Sequence, residues 1–444
     1  MTETRTDTDT DTDTGTGYGR APATHDARLT EVGPGTPMGE ALRRHWHPVA
    51  RSAGLTSEAP HRARLLGEDL IVFRDGQGRP GVVFERCAHR GSSLFYGRIE
   101  DDGIRCCYHG WKFDVRGHCL QQACEKDGGL RRNLARQPWY PVEERYGLVF
   151  VYMGPPDQKP PLPRYECLEP LDEGESYHTD WMAPGTEVLG LAQDFNWLQI
   201  FENAVDPVHA AWLHSNHSGF QFEGTGTTGF PEEYYDHATA ADRTTYHRTA
   251  HGVKYTWRYQ DTKGPGGERV DLDWSVECLL PNIIALPDFV RTVPDVRHDM
   301  LLWVVPVDDT HHRLVFSLRS GDPERAKSFV FGIKQNGKNG WELSEEEQRR
   351  FPGDYEAQRS QGDITRHSEE TLAPSDRGVV MLRRMLRAAV DDVEAGRTPA
   401  GVAAPGEPPR RVEAGLFTRP KPGAGDGDGA VDATGTATPA ASGA

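Results

Sequence analysis

The pattern of apolar and polar positions changes character along the chain. In the first third, apolar residues come in short runs broken by glycine, aspartate or arginine: RARLLGEDLIVFRD (62–75), RPGVVFERCAHR (79–90) and RYGLVFVYMGP (145–155). Runs of four to eight residues punctuated by turn formers predict strands. The pattern therefore predicts a small all-β domain over 50–160, with a helical segment before it at 29–49. A proline-rich boundary follows, PPLPRYECLEP (160–170). Beyond it lie an amphipathic segment at 193–214, strands near 254–258, 272–280 and 300–318, and helical patterns at 342–358 and 376–394. That mixture predicts an α+β domain over 170–395. Residues 1–28 alternate Thr with Asp or Gly, and 396–444 are rich in Gly, Ala and Pro. Both tails offer little to bury and are expected to be disordered.

A chain of 444 residues agrees with two domains. Its 50 Lys and Arg stand against 67 Asp and Glu, a formal charge of -17 that argues against nucleic acid as the main partner. A small anionic substrate stays compatible, because a pocket can differ from the average surface. There is no apolar run long enough to span a membrane. The start, MTETRTDTDTDTDTGTGYG, lacks the apolar stretch of a secretion signal. Seven cysteines in a large chain of this kind point to a metal centre in a reducing compartment, the cytoplasm, rather than to a disulfide framework.

The cysteines concentrate in CAHRGSSLFYGRIEDDGIRCCYH (87–109). Cys87-x-His89 and Cys106-x2-His109 each offer one thiolate and one imidazole. Zinc fingers pair cysteine with cysteine and place both histidines on a helix. Mixed pairs suit a [2Fe–2S] cluster of Rieske type instead, with Cys87 and Cys106 on one iron and His89 and His109 on the other. A mononuclear zinc site is the alternative. Cys107 competes with Cys106; the expectation is Cys106 as ligand and Cys107 as a packed small side chain. Trp111 reads as a shield for the cluster or as ordinary core. Such a cluster passes single electrons, but its irons are fully ligated, so chemistry on a substrate needs a second site.

NWLQIFENAVDPVHAAWLH (196–214) supplies a candidate, with Asn203, Asp206, His209 and His214 set among apolar residues. Two histidines and a carboxylate form the facial triad of non-haem Fe(II) oxygenases. Asp206 and His209 share a helix face. His214 lies about 140° further round an ideal helix, so the helix must bend or break near His209–His214, with Pro207 leaving the Asn203 carbonyl unpaired. Taken alone, such histidines are as readily hydrogen-bonded core residues.

Together these stretches, with LTEVGPGTPMGEALRRHWHPV, LLGEDLIVFRD and SEETLAPSDRGVVMLRR, resemble the α subunit of Rieske non-haem iron aromatic-ring-hydroxylating oxygenases, within them the group of phthalate dioxygenase and O-demethylases. The resemblance spans roughly 29–395. It implies a catalytic domain built on a central antiparallel sheet, with helices carrying a mononuclear Fe(II). By position it implies Cys87, His89, Cys106 and His109 as cluster ligands, and His209 and His214 as iron ligands. Asp206 matches the family's bridging aspartate and Asn203 a motif asparagine near the iron. The third iron ligand would be Asp354 in FPGDYEAQRSQGDIT (351–365), with Glu356 and Asp363 as competitors. The segments LQQACEKDGG (120–129) and GDITRH (362–367) depart from the family pattern.

The resemblance further implies a head-to-tail homotrimer in which His109 of one subunit meets Asp206 of the next. It implies an NAD(P)H-dependent reductase, with or without a ferredoxin, since GPGTPMG is no dinucleotide fingerprint. Dioxygen and a small aromatic substrate, with a carboxylate as one option, complete the partners. Monooxygenation, O-demethylation and cis-dihydroxylation all stay open, and an electron carrier without oxygenase activity is the alternative. Pocket walls are expected from 190–220, CLLPNIIALPDF (278–289) and 300–318. Arg291 and Arg297 are candidates for a substrate carboxylate, although each reads first as a surface residue.

Overall fold

Eleven strands with tight turns make up the first part of the chain. In the computed structural model, which describes residues 17, 20–181, 190–218, 236–263, 269–287, 294–325, 338 and 342–419, these strands form three antiparallel sheets. One is β1 (Trp46–Arg51), β11 (Leu148–Tyr152) and β10 (Val142–Arg145). The second runs β2 (His61–Leu65), β3 (Glu68–Arg74), β4 (Pro80–Phe84) and β9 (Trp139–Tyr140). The third runs β5 (Arg98–Glu100), β6 (Gly103–Arg105), β7 (Trp111–Phe113) and β8 (Cys119–Gln122). The turns Leu66-Gly67 and Tyr146-Gly147 have positive φ at both residues (50° and 78°; 56° and 73°). That is the turn whose twist matches a two-residue hairpin. A small core of Ile71, Phe73, Val83, Leu94, Ile104 and Phe113 packs directly against Cys87 and Cys106.

The second part is one large antiparallel sheet flanked by helices. Its order is β12 (Ser176–Trp181), β18 (His311–Ser320), β17 (Met300–Asp308), β16 (Ile283–Ala285), β15 (Arg269–Leu279), β14 (Gly252–Lys263) and β13 (Thr244–Arg248). Residues 300–307 of β17 are all buried, as a strand covered on both faces requires. Its neighbours include α3 (Trp197–Asn203) as well as β1 and β2 of the first part. Phe150 of β11 meets Trp303 of β17 edge to face at 5.7 Å. One hydrophobic cluster therefore runs through both parts, and the architecture is an all-β module joined to an α+β domain.

Three boundaries differ from the sequence expectation. The segment 29–49 is helical only in part: α1 (Ala27–Thr30) and α2 (Pro37–Arg43) are followed by β1, whose partner β11 lies about a hundred residues away and leaves no local trace. The expected disorder of 1–28 does not hold from Arg20 onward. The Thr24 N–H donates to Ser368 Oγ (2.8 Å), Asp26 pairs with Arg387 (2.7 Å), and Arg28 grips Glu394 (2.7 Å) on the long helix Arg377–Glu394. Those contacts are polar, so apolar patterning could not reveal them. The expected disorder of 396–444 fails for 396–419. Ala403, Arg410 and Leu416 are buried, and β19 (Gly415–Arg419) pairs with Asp271–Ser275 of β15. Residues 1–16, 18–19 and 420–444 lie outside the described residues.

Candidate functional site

The two loops of the first cluster are built alike. Gly91 N–H donates to the Cys87 carbonyl (2.9 Å), and Gly110 N–H to the Cys106 carbonyl (3.2 Å). Cys87 N–H donates to Ser92 O and Cys106 N–H to Trp111 O, both at 2.8 Å. Both loops close through a glycine at positive φ, 75° at Gly91 and 67° at Gly110. This equivalence pairs Cys106, not Cys107, with Cys87. Cys107 takes the place of Ala88 and is exposed, not packed as expected, because the loop turns it away from the core.

Cys87 and Cys106 are buried, with their sulfurs within hydrogen-bond reach of each other. The N–H groups of His89 and Arg90 serve the Cys87 sulfur, and those of Tyr108 and His109 the Cys106 sulfur, with a smaller contribution from Ser92, whose hydroxyl lies 3.9 Å from the Cys107 sulfur. The Cys106 thiol is pushed down to about 5, chiefly by Cys87 and then by these N–H groups, against burial. Such a nest of donors suits sulfurs that carry negative charge. The rings of His89 and His109 lie 4.6 Å apart, and Trp111 stacks on His89 at 4.3 Å. Trp111 thus supports the His89 ring and also packs against the small core. One zinc ion would draw all four donor atoms to a single point. Among the described residues the only group of three or more such side chains with donor atoms within 4.8 Å of one another is His209, His214 and Asp354. The quartet resolves instead into a cysteine pair and a histidine pair, the division a Rieske cluster needs. Gln137, fully buried, braces the first loop by accepting from Ala88 N–H (2.8 Å) and donating to the carbonyls of Phe84 and Arg86. Ser92 and Gln137 carry no sequence signal of these roles.

The second site stands on three short helices. Asn196 and Gln199 form a capping box that starts α3. α4 (Pro207–Ala211) starts at Asp206, whose Oδ1 accepts from Val208 N–H (3.0 Å). Pro207 occupies the first helical position, where its missing N–H is harmless. The Asn203 carbonyl, expected to be unpaired, accepts from Asp206 N–H at 3.1 Å. The chain breaks at 204–206 and then widens into a π-turn, Trp212–His217. A five-residue step is nearly one turn of a π-helix, which brings His214 beside His209, ring centroids 5.5 Å apart.

Asp354 opens the helix Asp354–Arg359. Its Oδ1 lies 3.5 Å from His209 Nε2 and 3.3 Å from His214 Nε2, and Asn203 Nδ2 donates to the same oxygen at 3.3 Å. His209 turns its other nitrogen, Nδ1, toward Asp206 Oδ2 at 3.6 Å. Asp206 therefore stands behind the histidine and outside the donor group. Both competitors of Asp354 are engaged elsewhere: Glu356 accepts from Gly353 N–H (2.8 Å), and Asp363 pairs with Arg359 (2.9 Å). Burial opposes the charges here, yet His214 and His209 hold the Asp354 carboxyl well below its usual range. Burial lowers His209, but Asp206 and Asp354 outweigh it and carry it up to about 9. Two nitrogens and an oxygen facing one point, with surplus negative charge around them, fit a divalent iron.

A cleft of about 480 Å³ opens beside Asp206, lined by Glu202, Asn203, Arg366, Glu369, Glu370 and Arg383 among others. Of the expected substrate walls, Cys278–Leu280 and Ile283–Ala285 lie in the sheet core. Phe289 and Arg291 lie outside the described residues. Arg297 spends its guanidinium on the carbonyls of Glu166 and Glu169.

Residues 45–138 match the Rieske [2Fe-2S] domain. The chain is 46% identical over 385 residues to the phenoxybenzoate dioxygenase subunit alpha of Ectopseudomonas oleovorans, covering 86% of this chain and 88% of that one. It is 30% identical over 414 residues to the phthalate 4,5-dioxygenase oxygenase subunit of Pseudomonas putida, covering 86% and 89%. The crystal structure of dicamba monooxygenase bound to dicamba superposes with a TM-score of 0.56 at 17% identity, over 80% of this chain and 99% of that one. At that identity the superposition speaks for the fold alone.

Proposed function

Since the chain belongs to the Rieske non-haem iron oxygenases, as an oxygenase subunit carrying a [2Fe–2S] cluster and a mononuclear iron, we propose that it oxygenates a small aromatic carboxylate with electrons delivered by a separate NAD(P)H-dependent reductase. The observation that carries this reading is the convergence of His209, His214 and Asp354 in a chain that also presents the Cys87, His89, Cys106 and His109 loops. A bare electron carrier would have no use for that convergence. The substrate class follows the names of the two relatives, both aromatic carboxylate dioxygenases.

When bound, the cluster supplies one-electron transfer and the iron supplies dioxygen activation. Cys87 and Cys106 would hold one iron of the cluster, and His89 and His109 the other. His209, His214 and Asp354 would hold the mononuclear iron. Asn203 donates to Asp354 and restricts which carboxylate oxygen faces the histidines. Asp206 sets the orientation of the His209 ring and its tautomer, as a carboxylate behind a metal-bound histidine does.

A head-to-tail trimer accounts for the remaining features. The cleft beside Asp206 is acidic, with Glu202, Asp206, Glu369, Glu370 and Asp376 against Arg366 and Arg383. The surface around the cluster loops exposes Arg86, Arg90 and Tyr108. Opposite charges on the two faces of one chain favour docking of the cluster face of one copy on the Asp206 cleft of the next. Among the described residues no helix is long and apolar enough to cross a membrane. Cys107 and Cys124, free and exposed, suit the reducing cytoplasm.

Iron analysis of Asp354→Ala tests the central assignment. The variant should lose its mononuclear iron and substrate-dependent dioxygen uptake, while keeping the electron paramagnetic resonance signal of the reduced cluster. Unchanged iron per chain would overturn it. For Asp206→Asn, both metals should stay and single-turnover oxidation of the reduced cluster should slow sharply; wild-type rates would remove Asp206 from the path between the centres.

A further inference from the structure

The helix that bears Asp354 has six residues, too few to hold a direction unaided. Gly353 at its start offers no side chain for capping, Glu356 of the same helix accepts from the Gly353 N–H, and the closing residue Ser360 turns its hydroxyl to the Ala357 carbonyl, so these contacts stay within the segment. The aim of the Asp354 carboxylate is therefore set from outside. One of the outside contacts is Asp194. Its Oδ1 accepts from Tyr355 Oη at 2.6 Å, and its Oδ2 from Arg359 Nε at 3.0 Å. One carboxylate thus holds both ends of the helix, and one of its partners is the residue next to Asp354.

Asp194 is itself fixed to the central sheet. The residue before it, Gln193, exchanges both backbone hydrogen bonds with His312 of β18 (2.8 and 3.1 Å). The residue after it, Phe195, is fully buried, and its carbonyl accepts from His312 Nδ1 at 2.9 Å. The Phe195 ring also lies 5.9 Å from that of Tyr355. A continuous path runs from β18 through 193–195 to Tyr355 and Arg359, and so to Asp354.

We propose that Asp194 is a positioning residue that clamps the Asp354 helix to the central sheet through Tyr355 and Arg359, and thereby sets how tightly the iron is retained. This rests on the reading of His209, His214 and Asp354 as the iron ligands. The charge state agrees with the geometry: burial opposes ionisation of Asp194, yet Tyr355 and Arg359 hold its carboxyl below the usual range. Both Asp194 and Tyr355 are partly exposed, so either can be altered without opening the core.

The test is the rate at which a ferrous chelator strips mononuclear iron from the full-length holoenzyme, with the reduced-cluster signal as an internal control. Tyr355→Phe removes one hydroxyl, and Asp194→Ala removes the clamp. Loss of partners behind a metal ligand typically weakens metal affinity 10–100-fold. We expect release about 10-fold faster in Asp194→Ala, several-fold faster in Tyr355→Phe, and no faster in the double variant than in Asp194→Ala. The cluster signal should be unchanged throughout. Release within twofold of wild type in both single variants overturns the clamp, as does a double variant whose effects simply multiply. Asp354→Ala, run alongside, separates the two ideas. If it keeps its iron, the ligand assignment has failed; if it loses iron while the clamp variants match wild type, only the clamp has.

Discussion

At the scale of single residues, Ser92 shows what spacing can and cannot reveal. The two Cys/His pairs are legible because each lies within four residues, and chemistry alone limits what such pairs can hold. Ser92 and Gln137 reach the cluster loops through folding, Gln137 from 49 residues away in sequence. Nothing local marks them. Asp354 was legible only through resemblance to a family, because 140 residues separate it from His214. The Ser92 hydroxyl lies 3.9 Å from the Cys107 sulfur and close enough to Cys106 to help lower its thiol, and with Cys106 as a cluster ligand a donor beside its sulfur stabilises the reduced, more negative state. Ser92→Ala should therefore lower the midpoint potential. A net bond of about 1 kcal/mol corresponds to a fall on the order of 40 mV for one electron. A redox titration in which the potential is unchanged or rises would contradict this.

At the scale of elements, the sequence predicts one amphipathic stretch at 193–214, bent or broken near His209–His214, and one helical pattern at 342–358. Each proves to be broken beside the residues that converge at His209, His214 and Asp354. The breaks come from Asp206-Pro207, from the π-turn at Trp212–His217 and from the Pro352-Gly353 step. The last two meet, since Ser218 Oγ donates to the Pro352 carbonyl at 2.7 Å. The spacing of His209 and His214 foretells the π-turn, but apolar periodicity alone does not show the breaks at 204–206 and at Pro352-Gly353, which depend on partners elsewhere. The long helix Arg377–Glu394 was foreseen more nearly whole, because its stripe of Val379, Leu382, Leu386 and Val390 is uninterrupted. It carries one costly feature. Arg383, nearly buried, bridges Glu202 of α3 (2.5 and 2.6 Å) and Glu370 (2.6 and 2.8 Å). Arg383→Met would leave Glu202 buried without its partner, for a loss of about 3 kcal/mol. Adding Glu202→Gln should recover part of that loss. Urea unfolding checks both, and an unchanged midpoint in Arg383→Met would mean the pair is not coupled to the fold.

At the scale of the whole molecule, three buried histidines make stability depend on pH. Burial is the main cause that lowers His45 to about 3, His47 to about 4 and His312 to about 4. The setting of His47 shows why: Nε2 faces the Leu42 carbonyl (2.8 Å) and Nδ1 faces the amide of Asn282 (3.4 Å), which suits a neutral ring with one donor and one acceptor. In the unfolded chain these groups return to the ordinary value of 6.5, so the unfolded state takes up protons first. Their contribution is complete above pH 6.5 and is lost as pH falls toward 4, at about 1.4 kcal/mol per pH unit for each histidine. Carboxylates such as Glu100, lowered to about 2 chiefly by Arg105, act in a lower window, below 4.5. The urea midpoint should fall between pH 6.5 and 4.5. A flat midpoint there, or one that moves only below 4.5, would contradict the histidine account.

The last described strand has a consequence for how the protein is made. On the side of β15 away from β14, β16 pairs only with Glu277–Leu279, and β19 supplies the hydrogen bonds for Asp271–Ser275. On the ribosome, β15 emerges long before Gly415–Arg419 exists. For on the order of ten seconds at ordinary rates of synthesis, the growing chain presents a half-bare sheet edge beside the buried Leu272 and Trp274. Such an edge invites pairing with another unfinished chain. Recovery of intact enzyme should therefore depend on how crowded the ribosomes are along each message, a quality of production rather than of the finished fold.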